Sequence, residues 1–441
     1  MTTRSELAIV GGTPVLPRGW TYPEWPVVEA ADRDAIERTL SSGKLTCMAS
    51  GEQEVSGLER EWAEFVGCRR AIGVANGTAA LTLAFNAVGV EPGDEVLVPA
   101  VSFVASAMAV LHHMAVPVFV DVDPRTCNVD VAALEAAVTP RTTAIVAVHL
   151  HGLPCDMDEI VAVARRRGLR VVEDAAQAHA AEYRGRRAGT LGDIATFSLN
   201  VSKNLPTCGE GGLITTEDDA AADKCVALRQ FGERLDDDRP RSYLSRHLGW
   251  NAKLNSVQAA FTRAQLDRFP RYEASRQDNV ARFLARVREL PGLECPSAPP
   301  DRTHVWHILR FRCEPERAGI DVSPRAFRDA LRRALAAEGV PASTYQRVPL
   351  PDQPVFRARV GFGRGYPWTL APERGPDGEF PNATRALQQS FTIQKFHLNP
   401  HAGATLQRFA DAFEKVFDNL DVVASMARAA DARAAAVEVG G

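Results

Sequence analysis

Apolar positions along the chain follow two periods. Over residues 28–42 they recur at helical spacing, with Ile36 and Leu40 on one face and Gly43 as a stop. Residues 52–66 repeat the pattern through Leu58, Trp62 and Phe65. From residue 71 onward, short apolar runs alternate with helical segments. Strands are predicted over 71–75, 96–98, 117–121, 143–148, 169–173 and 195–199, with one more short strand after the Gly-Glu-Gly-Gly turn at 209–212. Helices are predicted between them over 77–88, 103–112, 131–138, 156–166 and 218–231. The strand segments are apolar almost throughout rather than at alternate positions. Strands of that kind are buried on both faces, so the pattern predicts an α/β fold with a mostly parallel sheet covered by helices on both sides. Ligand sites in such sheets lie beyond the carboxyl ends of the strands.

Past residue 266 the pattern changes. A loop at 248–255 leads into a helix, a second helix is predicted over 279–290, and an alternating strand follows over 304–313. Then come a helix over 324–338, a turn reading VPASTYQRVPLP and a last helix over 404–417. This α+β tail reads as a smaller domain. The expected organisation is an extended arm over 1–27, rich in Trp and Pro, a large domain over 28–265, a small domain over 266–425 and a frayed tail over 426–441. The charged segment 233–241 reads as a solvated loop, and the Gly/Pro-rich tract 359–381 as a loop without period.

A chain of 441 residues is too long for one ordinary domain, which agrees with that division. A net charge of −4 argues against nucleic acid or an anionic membrane surface as the main partner. No apolar run is long enough to span a bilayer, and residues 1–12 lack the basic-then-apolar pattern of a secretory leader, so the expected location is the cytoplasm. None of the eight cysteines forms a CxxC pair, which removes a zinc or dithiol motif; no metal is expected. Cys208 lies near Lys203, but no base pairs with it in sequence, and it reads as a small residue filling a tight loop.

The chemistry concentrates in residues 171–216. A buried strand ends in Asp174, followed by Gln177 and His179; a second strand, ATFSL, is followed by Lys203 and then by the glycine turn. A carboxylate and an amine at neighbouring strand ends suit a pyridine aldehyde cofactor. The carboxylate keeps the ring nitrogen protonated, and the lysine forms a Schiff base with the aldehyde. Phe103, Asp174, Gln177 and Lys203 all fall just after strand ends and could converge. The strand–turn–helix at Asn76-Gly77-Thr78 could bind an anion at the helix N-terminus, although an N-cap by Asn76 or Thr78 explains it equally well.

Taken together, ANGTAALTLA, VFVDVDP, VVEDAAQAHAAEYRGRRAGTLGDIATFSL, SKNLPTCGEGG and GWNAKLNSVQAA, with GGTPV near the start, resemble the DegT/DnrJ/EryC1/StrS family. These are sugar and cyclitol aminotransferases of the fold-type-I pyridoxal-phosphate enzymes, and the resemblance covers roughly residues 8–425. It implies that Lys203 binds pyridoxal 5′-phosphate covalently and moves the proton, and that Asp174 pairs with the ring nitrogen. Gln177 would lie by the phenolic oxygen, where Gln marks amino transfer and His marks relatives that remove water. Phe103 would stack on the ring, unless it is a helix core residue. Gly77, Thr78 and Ser198 would hold the phosphate. Asn251 would reach it from a partner subunit, making the active sites shared and the homodimer obligatory. Glu210 is structural or catalytic, and His179, as a lone histidine, is structural.

Three departures stand out against that family. One residue near Pro206 looks inserted between Lys203 and Glu210, Lys253 stands where the family has Arg, and Thr344-Tyr345-Gln346-Arg347 replaces a usual His-Tyr pair. The substrate pocket is therefore expected to differ, with Tyr345, Arg347, Lys395 and His397 as candidates to meet a substrate carboxylate or hydroxyl. The implied reaction moves an amino group from glutamate or glutamine to a ketone on a sugar or cyclitol, in secondary metabolism of the aminoglycoside or aminosugar type. Its rivals are dehydration, deoxygenation or cyclisation on the same cofactor, and a non-catalytic regulatory role.

Overall fold

The computed structural model describes residues 5–234, 241–372 and 378–439. The predicted apolar runs form a seven-stranded sheet. Its strands are β1 (Arg70–Val74), β2 (Glu95–Pro99), β3 (Val116–Val120), β4 (Thr142–Val148) and β5 (Arg170–Asp174), then β8 (Ile194–Ser198) and β9 (Gly212–Thr216), in the order β1-β9-β8-β5-β4-β2-β3. A two-stranded hairpin, β6 (Glu182–Tyr183) with β7 (Arg186–Arg187), interrupts the series. Within the large sheet only β9 runs against its neighbours. β2, β3, β8 and β9 are buried at every position, as expected of strands covered on both faces.

Register aligns the functional strand ends. Asp174 pairs with Val148 on one side and Thr196 on the other, and Gly212 pairs with both Ser198 and Val74. A second sheet, β10 (Leu293–Glu294), β11 (Leu309–Cys313) and β12 (Ser390–Ile393), is antiparallel throughout and falls within the residues expected to form the small domain. Among the described residues no helix is long and apolar enough to cross a membrane.

Several expectations need correction. The helix expected after the loop at 248–255 and the one expected over 279–290 are one 32-residue helix, Ser256–Val287, with Pro270 inside it. It carries Ala259, Leu266 and Phe269 in a core against the large sheet and Val280, Phe283, Leu284 and Val287 in the small-domain core. The boundary expected at 265/266 thus falls within a helix that serves both cores. Beyond it, Leu350, Phe356, Trp368 and Leu387 return to the core of the large sheet, so that part of the expected loop 359–381 is packed structure. Residues 373–377 of that loop and 235–240 of the charged loop lie outside the described residues.

Residues 426–439 of the tail expected to fray belong to the helix Leu420–Val439, and residues 440–441 lie outside the described residues. Alanine has the highest helix propensity, and Val423, Ala424 and Ala427 bury one face against the small-domain core. Asp431 ties it down by accepting from the N–H and the hydroxyl of Ser323, at 2.8 and 2.6 Å. The N-terminal arm makes one 3-10 turn at Ala8–Val10, and Leu7 and Leu16 enter the same core. Glu338, itself fully buried, accepts from the N–H groups of Ala8 and Val15.

Candidate active site

Asp174 ends β5 with 7% of its surface exposed. Ser106, in the helix Ala105–His112, donates its hydroxyl to Asp174 Oδ2 at 2.7 Å, and Ser102 Oγ lies 2.7 Å from Ser106 Oγ. The N–H of Ala176 donates to Oδ1 at 3.2 Å. The carboxylate is fixed in direction by three elements, yet its outer face still opens to solvent space. Gln177, also buried, accepts at Oε1 from the backbone N–H of His151, at 2.7 Å. That bond settles the orientation of the amide and leaves its NH2 as a donor.

Lys203 sits in a loop closed across the ends of β8 and β9. Thr207 N–H donates to Leu199 O at 2.7 Å, and Val201 N–H to Gly209 O at 2.9 Å. Asn200 Oδ1 accepts from Ser202, and Asn200 Nδ2 donates to Glu210 at 2.5 Å. This closed loop is buried from Asn204 to Thr207. The lysine's backbone is also held from outside the loop. Trp25 Nε1 of the N-terminal arm donates to Lys203 O at 3.1 Å, and Asn204 bridges Val305 O and His307 Nδ1. Burial lowers the Lys203 ammonium to about 8, assisted by the nearby Lys395 charge and opposed by Asp174 and Glu210. A neutral amine is thus accessible just above neutral pH.

The helix Gly77–Ala87 starts beside Lys203's strand. Asn76 caps it, accepting from Ala79 N–H at 2.8 Å. A Cβ at Gly77 would lie 2.9 Å from Ser198 Cβ, so only glycine lets the helix N-terminus approach β8 this closely. The free N–H groups of that terminus and the hydroxyls of Thr78, Ser198 and Ser202 face one space.

These groups line a single cavity of about 540 Å³, together with Phe103, Tyr345, Lys395 and Glu210. Phe103 is 56% exposed, which removes the helix-core reading. Three residues expected near the substrate or cofactor are elsewhere within this chain. Asn251 is exposed and accepts from Lys253 Nζ at 2.5 Å. Arg347 is exposed and does not line the cavity. His397 packs its ring against Tyr22 and Phe409, with centroids 5.0 and 6.2 Å apart, because the turn after β12 faces it into the small-domain core. His179 is wedged between Trp62 and Phe197 and held neutral, pushed down to about 3 by burial. Cys208 is exposed at the loop, and burial pushes its thiol up rather than down, opposite to what a nucleophile needs.

Sequence reasoning did not find Ser102, Ser106, Asn200, Ser202 or Trp25. Ser202, adjacent to Lys203, and Asn200, one turn earlier, could have been suspected from position. Ser106 could not, since a serine in an apolar helix carries no signal until the fold brings it to Asp174.

Residues 26–368 match the sequence model of the DegT/DnrJ/EryC1/StrS aminotransferase family. A putative L-glutamine:3-amino-2,3-dideoxy-scyllo-inosose aminotransferase of Streptoalloteichus tenebrarius is 34% identical over 430 residues, covering 95% of this chain and 99% of the relative. The dTDP-3-amino-3,4,6-trideoxy-alpha-D-glucose transaminase of Streptomyces venezuelae is 35% identical, covering 83% of this chain and 86% of its own. Among solved structures, S. venezuelae DesV in complex with a ketimine intermediate superposes with a TM-score of 0.76 at 33% identity, covering 90% of this chain and 99% of that one.

Proposed function

From the premise that this chain belongs to the DegT/DnrJ/EryC1/StrS aminotransferase family, we propose that it binds pyridoxal 5′-phosphate in the 540 Å³ cavity and aminates the ketone of a cyclitol, taking the amino group from glutamine or glutamate. The observation that carries the reading is the convergence of Asp174, Gln177 and Lys203 on that cavity. The donor set suits the cofactor. Asp174 offers a carboxylate to a protonated ring nitrogen, the free NH2 of Gln177 offers a donor to an anionic oxygen, and the helix N-terminus at Gly77 with three hydroxyls offers a phosphate cradle.

When bound, pyridoxal phosphate supplies an electron-withdrawing ring and the carbon at which an amino group is exchanged. The protein's part is positional and acid–base. Ser106 and Ala176 aim Asp174, while Phe103, on the cavity wall, would cover a face of the bound ring. Lys203 Nζ, lowered to about 8 by burial, would take up the proton lost from the donor's α-carbon.

Two features support the cyclitol over a nucleotide-linked sugar. The match to the scyllo-inosose aminotransferase runs nearly end to end, and Thr344-Tyr345-Gln346-Arg347 replaces the family's His-Tyr pair. We place the reaction in secondary metabolism of the aminoglycoside or aminosugar type as part of the same proposal. Asn251 lies exposed outside the cavity, and Tyr243 and Leu248, earlier in the same segment, are 74% and 86% exposed. That supports a homodimer in which Asn251 reaches the partner's phosphate. All eight cysteines are unpaired, which supports a reducing, cytoplasmic setting.

The test is a screen with protein preloaded with the amino form of the cofactor. Amination of 2-deoxy-scyllo-inosose, with no reaction of a dTDP-linked ketosugar, is expected. The reverse preference would replace the cyclitol with a nucleotide-linked acceptor.

A further inference from the structure

Two lysines share the cavity. Lys203 enters it from the loop after β8 and Lys395 from the 3-10 turn Lys395–His397 after β12, on the small-domain side. Among the described residues no carboxylate pairs with Lys395; its ammonium lies 5.5 Å from the ring centre of Phe396. The carboxylates on the cavity wall are already engaged, Asp174 by Ser106 and Ala176 N–H, and Glu210 by Asn200. His179 and His307, which face Lys203 from the other side, are held neutral by burial and add no charge. The cavity thus holds a half-buried cation without a counter-ion, beside a second amine.

An unpaired cation out of water is unfavourable, and its repulsion falls on the nearest other cation. A ligand anion at Lys395 removes both penalties. The amino donor is the substrate that must carry one, since an amino acid bears a carboxylate on the same carbon as the amine it gives up. A cyclitol ketone bears none.

We propose that Lys395 receives the α-carboxylate of the amino donor, and that this pairing strengthens Lys203 Nζ as a base in the donor complex. The inference rests on the aminotransferase reading and deepens it. Lys395 now lowers the proton affinity of Lys203, and Asp174 and Glu210 raise it. An anion on Lys395 cancels the first effect and leaves the other two. The base is therefore strongest when a donor α-proton is to be removed. With the uncharged acceptor bound, Lys395 is uncompensated again and Lys203 holds its proton less tightly. One residue would tell the two substrates apart and adjust the shared base to each.

The probe is glutaramate, which is glutamine without its α-amine; its one anion is the carboxylate in question. Bound to the holoenzyme, it is expected to raise the pH at which the Lys203 nitrogen loses its proton, read as the midpoint of the visible absorbance change of the bound chromophore. Lys395→Met is expected to raise that midpoint without ligand, to abolish its response to glutaramate, and to weaken glutaramate binding by about tenfold or more, the scale of a charge-assisted contact. Lys395→Arg should restore binding to within about threefold of the native protein. Retention of the chromophore in both variants shows that the site is intact. Equal glutaramate affinity in the native protein and Lys395→Met, or a midpoint that glutaramate shifts equally in both, overturns the proposal. In either of those cases the visible band still responds to glutamine, whereas a band that ignores glutamine is a failure of the aminotransferase reading instead.

Discussion

Gln177 turns its amide oxygen to the backbone N–H of His151, 2.7 Å away, and so leaves its NH2 for the cavity. His151 holds that N–H from the left-handed region, φ 57°, where a residue with a Cβ is strained. Burial, with the Arg310 charge beside it, keeps the imidazole neutral. A backbone position of this cost, spent on orienting one amide, separates the Gln177 oxygen from its nitrogen as a matter of function.

Gln177→Glu tests that separation. A carboxylate still accepts from His151 N–H but offers no donor to the cavity. The substitution is not expected to change the melting temperature appreciably, while kcat falls by about a hundredfold, the usual scale for removing one aligned donor. A kcat within twofold of the native value would remove Gln177 from the chemistry.

Ser106→Ala deletes the hydroxyl that holds Asp174 Oδ2. A charge-assisted bond of this kind contributes about 1.5–3 kcal/mol, so cofactor affinity should fall by about tenfold or more. Equilibrium dialysis of the cofactor against both proteins measures it. Ser106→Thr, which keeps the hydroxyl, should recover most of the loss.

Much of this site can be read from the sequence because strand ends announce themselves. Asp174 and Lys203 each follow a continuous apolar run, and in a parallel sheet the ends of such runs converge. The same logic cannot see Ser106, whose role depends on a neighbour 68 residues away. His397 misleads for the opposite reason: its polar character suggests the cavity, but Tyr22 and Phe409 enclose its ring. For the fold, β12 escapes notice because Ser-Phe-Thr-Ile is too short and mixed to stand out from the loop before it. The alanine-rich end of the chain reads as frayed when alanine is counted as featureless, yet alanine favours the helix, and Ala427 is buried in the core it packs on.

Lys203 should also report on itself through stability. Its folded pKa of about 8 lies below the unfolded value, so the folded state disfavours the charged lysine. The cost is full below pH 8, declines as pH rises from about 8 towards 10.5, and vanishes above, because only in that window does the unfolded chain hold the extra proton. Cofactor-free Lys203→Met should therefore be more stable than the native protein at pH 7, by up to about 3 kcal/mol for this shift. Calorimetric melting of both proteins across the window should show the gap closing with pH. A gap independent of pH would contradict the buried-amine assignment.

The C-terminal helix is predicted to be part of the folded core. Ala427 is fully buried, and Ala427→Asp places a charge against Phe and Leu side chains of the small domain. A loss of about 2–4 kcal/mol is expected, seen as a lowered melting temperature. Deleting residues 420–441 should be at least as damaging. An unchanged melting temperature for both would mean that the helix packs without consequence.

Lys203, Asp174 and Gln177 are proposed to make this cavity an amino-transfer site. The most direct measurement is the visible spectrum of the protein purified with pyridoxal phosphate, before and after glutamine, and again after 2-deoxy-scyllo-inosose. A visible band that glutamine bleaches and the ketone restores is expected, with neither change in Lys203→Ala. A band that is absent, or that glutamine and glutamate leave unchanged, would contradict it.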